Sequence, residues 1–203
     1  MSEQQTNHTP RELISWVNTR ITGILSMPEG GAQRALLARL RRGVGKAPGE
    51  LPELWGVLFE DFPAEWMSGS GQATRSEWAA YITLTLFAMH QQSKDPKTAP
   101  MHRKGQSLGR ALNRLAGGDD EEKERILRRF RQLAAAADIR GAAYHLRGLV
   151  QLLRGADIPL DYAALAWDLY QYQDIERMAD VRLRWAQDFY RFNMEENGKE
   201  EQA

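Results

Sequence analysis

The chain has 203 residues, 42% of them hydrophobic and 27% charged, with 27 basic residues against 27 acidic ones and no cysteine. That length can bury a real core, as one large domain or two small ones, and the lack of cysteine excludes a disulfide framework, a thiolate metal site and a cysteine nucleophile. The first twelve residues hold no apolar stretch, and the longest apolar run, near residues 79–89, is far shorter than the roughly 18–20 residues of a membrane span, so a cytoplasmic protein without signal peptide or membrane contact is expected.

The first helix opens at Thr9, with Pro10 at the first helical position and Glu12 closing a capping box. Ile14, Val17, Ile21 and Leu25 then share one face by their spacing. Met27-Pro28-Glu29-Gly30-Gly31 ends it, and a second helix over about 32–42 stops at Gly43. Residues 51–60 make a short helix whose apolar side is Leu54, Trp55, Leu58 and Phe59. Thr74-Arg75-Ser76-Glu77 is another capping box and opens a long helix through Trp78, Ile82 and Leu86 to about Gln92. The polar segment 93–100 carries two prolines and reads as a domain linker or a large loop. Beyond it follow helices over 107–116, 119–137, 138–154, 161–172 and 174–194, four of which start with aspartate, a favoured N-cap. No stretch shows the strict alternation of a strand, and no repeat of 20–50 residues is visible. The expected fold is all-α. It has two small helical domains, residues 1–100 and residues 101–203, and the second is an antiparallel bundle with a disordered acidic tail over 197–203.

Zero net charge argues against a nucleic-acid partner until the charge is divided along the chain. Residues 34–46 hold five basic side chains and no acidic one, and 103–114 hold four and none. Residues 125–154 hold seven arginines against Asp138, whereas 155–203 hold five basic and eleven acidic residues. Such asymmetry suggests one surface for an anion and another for something else, although an acidic tail that merely neutralises the rest would look the same.

Several chemistries are excluded. Gly43-Val44-Gly45-Lys46 is no phosphate loop, because Leu40 stands where its first glycine belongs, Ala47 follows the lysine and no strand precedes it. His8, His90, His102 and His145 lack metal-ligand spacing, and His145 has no nucleophile or orienting partner in reach of a motif. The cluster Asp119-Asp120-Glu121-Glu122 is more simply a helix cap and dipole complement than a metal site. No metal, cofactor or catalytic residue is expected.

The arginine pattern remains. Arg140-Gly141, Arg147-Gly148 and Arg154-Gly155 recur every seven residues, which puts the arginines in one stripe with steps of about 10 Å along a helix. The interior glycines beside it cost up to about 1 kcal/mol each relative to alanine, so either a neighbouring helix or a nucleic-acid backbone comes close there. The preceding helix adds Arg125, Arg128, Arg129 and Arg131, for which Glu121 and Glu122 are only partial counterparts. Arginine suits phosphate because its planar fork donates two parallel hydrogen bonds. Trp16, Trp55, Trp78, Trp167 and Trp185 sit at core spacing, whereas Trp66 lies in a Gly/Ser-rich region and reads as exposed. No helix-turn-helix, zinc-finger or RNA-recognition signature is present.

Arg39-Leu40-Arg41-Arg42-Gly43, Leu54-Trp55, the block Gln106-Ser107-Leu108-Gly109-Arg110-Ala111-Leu112 and the end Arg182-Leu183-Arg184-Trp185-Ala186-Gln187-Asp188-Phe189-Tyr190 resemble, in order and spacing, the CasB family. These are the small subunits of the type I-E CRISPR Cascade surveillance complex. The resemblance spans about residues 10–195. It implies a two-part all-α fold without enzymatic activity, present as two copies stacked head to tail. It further implies contacts with the backbone and large subunits, the guide RNA, the guide–target duplex and the displaced DNA strand. The family's basic positions fall on Arg41 and Arg42, on Lys104 and Arg110, and less closely on Arg140 and Arg147. Together with Arg39, Lys46, Arg128 and Arg131 these form the expected nucleic-acid-binding set. A helical adaptor that docks acidic protein surfaces is the competing expectation. A dimeric regulator of duplex DNA is a third.

Overall fold

The computed structural model describes residues 10–28, 30–117 and 120–200, with side chains from 12 to 191 within those spans. At its centre lies α4 (Arg75–His90), in which every residue from Ala79 to His90 is buried. No charged side chain occurs between Glu77 and Lys94, so this helix has no face to give to water and needs neighbours all round. They are α1 (Pro10–Ser26), α2 (Gly31–Arg42), α7 (Ile139–Gly155) and α8 (Tyr162–Tyr172). The buried hydroxyls of Thr83 and Thr85 donate to the carbonyls of Ala79 and Tyr81 one turn back, at 2.6 and 2.9 Å, so no polar group is stranded there.

A 3₁₀ turn at Pro52–Leu54 leads into the short α3 (Trp55–Phe59), and another lies at Ala64–Trp66. α5 (Leu108–Leu115), α6 (Asp120–Ala134) and α9 (Met178–Glu200) complete an all-α fold with no strand among the described residues. Local capping explains four helix starts. Thr74 and Glu77 close both halves of their box, and Ser107, Asp138 and Asp161 each accept the amide three residues on. Asp174 does not cap a helix. Its carboxylate takes Arg75 Nη1 at 3.0 Å and the Glu176 amide at 3.1 Å, and α9 begins only at Met178. Thr9 and Asp119, the other expected caps, lie outside the described residues. α9 runs on to Glu200, past the expected end at 194, and 201–203 of the expected tail are not described.

One hydrophobic cluster runs from Leu13 to Phe189 and crosses the boundary expected at residue 100, because α1 and α4 pack on α8 and α4 also packs on α7. The segment 93–100 is a fastened loop. Gln91, 1% exposed, donates to the carbonyls of Lys94 and Ala99 and accepts the Met101 amide, while Lys94 pairs with Asp157 beyond α7. Two tryptophans depart from expectation. Trp66 is 3% exposed, edge-on to Phe62 and under the Thr74 hydroxyl, whereas Trp55 is 51% exposed. This segment turns Leu54, Leu58 and, in part, Val57 and Phe59 inward.

α5 and α9 meet backbone to backbone at Gly109. A Cβ there would run into the Trp185 carbonyl, and would lie 2.7 Å from Asp188 Cβ and 2.8 Å from the Phe189 amide nitrogen. Buried Asn113 donates to the Phe189 carbonyl at 2.8 Å one turn further on. Trp185 is locked by its indole N–H on Asp168, which also accepts Arg184 at 2.9 Å, and by stacking on Tyr172.

Candidate nucleic-acid interface

The interface begins with α7. Leu146, Leu149, Val150 and Leu153 hold one side of the helix in the core, which turns Arg140 and Arg147 outward and leaves Arg154 half-buried at its end. Beside them lie the end of α2 and the loop 43–50. Gly43 fixes this placement: Tyr81 donates to its carbonyl at 2.9 Å, and a Cβ on it would lie 2.8 Å from each of Leu54, Thr85 and Tyr81. Glu50 holds the loop closed by accepting the Ala47 amide, and Gly45, at φ +85°, supplies the left-handed turn that passes the Arg147 guanidinium.

The loop and α7 thus run side by side and match their cations in a row. Arg41 feels the charge of Arg154 and lines a groove with Gln92, which accepts Arg154 Nη1 at 2.9 Å. Partial burial, and then the Arg154 charge, push the Arg41 guanidinium below its usual range. Lys46, Arg140 and Arg147 line one pocket of about 260 Å³ with Trp78, Ile82, Leu86 and Tyr144. The Arg140 guanidinium lies over the Trp78 ring, 5.2 Å from its centroid. From Arg147 the surface continues past Gly148 to Arg129, then to Arg128 and Arg125 on α6. Arg128, Arg129, Arg140 and Arg147 make no ion pair with an acid among the described residues. The α7 glycines are not helix-packing sites: a Cβ on Gly148 would find only Arg129 at 3.6 Å, and one on Gly155 nothing within 4 Å.

The other expected cations lie apart from this row. Arg39 lines a separate groove with Glu53, Glu60 and Asp61. Arg42 faces Glu53 at 3.6 Å, and Arg131 pairs with Glu124 at 2.9 Å. Lys104 is exposed in the loop before α5, and Arg110 reaches back to the Gly105 carbonyl at 3.5 Å. Arg110 and Arg140 share no groove. Sequence reasoning missed Tyr144, which is 73% exposed between the arginines. Its signal was present, since 140, 144 and 147 share a helix face by the i, i+4, i+7 spacing. Among the described residues no group of three histidine or acidic side chains could hold a metal, and no helix is long and apolar enough to cross a membrane.

Residues 36–190 match the family described as CRISPR-associated protein Cse2. No curated protein matches the chain. Among solved structures, CasB from Thermobifida fusca is 34% identical, with a TM-score of 0.69 over 88% of this chain and 97% of that one. A Cse2-family CRISPR-associated protein from Thermus thermophilus is 26% identical, with a TM-score of 0.63 over 89% and 97%. A chain from a structure of a CRISPR RNA-guided surveillance complex shares the fold at 22% identity, with a TM-score of 0.67 over 90% and 94%. The chain is thus a member of the CasB (Cse2) family of CRISPR-associated proteins.

Proposed function

We propose that this chain is a non-catalytic small subunit of an RNA-guided type I-E Cascade complex, where it braces the guide–target duplex and the displaced DNA strand. Other Cascade subunits, the guide RNA and a second copy of the chain are its partners. Family membership supports the assembly. The observation that carries nucleic-acid binding is the run of cations on one surface: Lys46, Arg140 and Arg147 line one pocket, Arg147 and Arg129 the next, and Arg128, Arg129, Arg140 and Arg147 make no ion pair with an acid among the described residues. A displaced strand needs a positive groove and no base code, which suits such a row.

The test is to rebuild the complex with Lys46→Ala, Arg129→Ala and Arg147→Ala combined. Target binding across a salt series and permanganate reactivity of the displaced strand are then measured. The expected result is an intact complex whose displaced strand becomes more reactive. Its salt slope should fall by about 0.7 for each phosphate of the single strand that the variant no longer neutralises. Unchanged reactivity and slope would refute the nucleic-acid role. Failure of the complex to assemble would favour the adaptor reading instead.

A further inference from the structure

We propose that the pocket between the loop 43–50, α4 and α7 takes one unpaired nucleotide. Its base lies against Arg140 and Tyr144, and its phosphate is held by Lys46 and Arg147. This rests on the nucleic-acid reading above and names the ligand of that site.

At about 260 Å³ the pocket falls just under the roughly 300 Å³ at which pockets for drug-sized ligands begin, which suits a single base with part of its sugar. Its chemistry is divided in the way a nucleotide is. Ile82 and Leu86 of α4 form an apolar floor, while Lys46 and Arg147 stand at the rim. Arg140 is the element that a plain phosphate track does not require. Its guanidinium already lies over Trp78, 5.2 Å from the ring centroid, so the cation is placed before any ligand arrives, and a guanidinium is a surface on which a base stacks. Tyr144 adds an aromatic ring that is 73% exposed and has His145 edge-on to it, at 5.3 Å. A ring left in water beside a pinned guanidinium is a stacking surface without an occupant.

The polar groups inside the pocket are already engaged. Tyr81 donates to Gly43, and Glu50 accepts from Ala47 and faces Lys46 at 3.9 Å, an exposed pair loose enough for a phosphate to displace. Stacking on Arg140 and Tyr144 governs, so the site is tolerant of sequence. A paired base cannot leave its duplex to enter without losing its partner. The pocket therefore distinguishes a displaced strand from a duplex.

The test uses the full chain at low salt and fluorescence anisotropy with three probes: a 12-mer of single-stranded dT, the same 12-mer with its internal bases abasic, and a 12-base-pair duplex. Tyr144→Ala removes the ring from an exposed position, and circular dichroism should show the fold retained. Tyr144→Phe keeps the ring. The expected result is about tenfold weaker dT binding by Tyr144→Ala, unchanged duplex binding and near-wild-type behaviour of Tyr144→Phe. The wild type should prefer dT to the abasic strand, and Tyr144→Ala should not. If Tyr144→Ala matches the wild type while Lys46→Ala and Arg147→Ala weaken all probes, the surface is a phosphate track without a base pocket; the proposal falls and the nucleic-acid reading stands. If none of the variants changes binding, or the chain binds no probe, both fall.

Discussion

Replacing glycine by alanine should have opposite signs at two helical positions of this chain. At Gly109 the new methyl would meet the Trp185 carbonyl, Asp188 Cβ at 2.7 Å and the Phe189 amide nitrogen at 2.8 Å. Ordinary carbon contacts lie at about 3.5–4.0 Å, and two of these neighbours are backbone that no rotamer change can move. α5 must therefore retreat from α9 by about 1 Å to restore such contacts. That movement stretches the 2.8 Å bond from Asn113 to the Phe189 carbonyl and opens the packing of Leu112 and Phe189. Overpacking costs about 1–3 kcal/mol, and the strained buried hydrogen bond adds about 1 kcal/mol. Better helix propensity returns up to about 1 kcal/mol. The net is a destabilisation of about 1–3 kcal/mol, or a Tm lower by about 3–10 °C in a domain of this size. At Gly148 only the end of the flexible Arg129 side chain lies near, at 3.6 Å, so alanine gains about 0.5–1 kcal/mol of helix stability with nothing to displace. Its Tm should rise by about 1–4 °C. Thermal melts followed by circular dichroism at one pH and ionic strength check both. A Gly109→Ala melt at or above the wild type, or a Gly148→Ala melt lowered as much as that of Gly109→Ala, would refute the reasoning.

Three further outcomes are expected. Burial, with the nearby Arg154 and Lys94 charges, holds the His90 imidazole down to about 4 from its ordinary 6.5. Between those pH values the unfolded chain binds a proton that the folded chain refuses, so stability rises with pH through the window and is lost as pH falls. His90→Gln should lack that component, and its denaturation midpoint should fall less than the wild type's between pH 7 and pH 4, by a difference of about 3 kcal/mol. Asp168→Ala leaves the indole N–H of buried Trp185 without its acceptor and Arg184 with only Gln171, which should cost about 1–3 kcal/mol in chemical denaturation. Gln91→Ala removes three hydrogen bonds that close the 93–100 loop, so trypsin should cut at Lys94 or Lys97 several times faster, while secondary structure by circular dichroism is unchanged.

The helices were legible because their signals are local. Thr74 with Glu77, Asp138 with Gly141 and Asp161 with Ala164 act within three residues, and the structure shows each of these bonds. Asp174 has the same local appearance but is drawn off by Arg75, 99 positions away, a competition that no window of sequence displays. Trp55 and Trp66 exchanged their expected environments for a similar reason. Helical spacing pointed Trp55 inward, but a 3₁₀ turn and a five-residue helix leave it at the surface, while Trp66 closes over Phe62. The stripe of Arg140, Arg147 and Arg154 could be read from its period. What faces it could not, because Arg41 and Lys46 come alongside only when α2 and α7 have both packed on α4.

The blocks that carry the family resemblance serve packing more than charge. In Ser107-Leu108-Gly109-Arg110, serine caps, leucine is buried, glycine admits α9, and only the arginine reaches solvent. In Arg39-Leu40-Arg41-Arg42-Gly43, successive side chains on a helix point about 100° apart, so adjacent arginines cannot serve one surface equally. Leu40 fills the core, Arg42 turns to Glu53, and Arg41 alone reaches the end of α7 beside Arg154. Gly43 then decides where the chain goes next, since only a residue without a side chain fits beneath Tyr81 and Thr85. A bulkier residue would lift the loop off α4 and carry Lys46 away from Arg147. The row of cations depends on a glycine that touches none of them, which is why arginine counting alone finds the stripe on α7 but not the groove it completes.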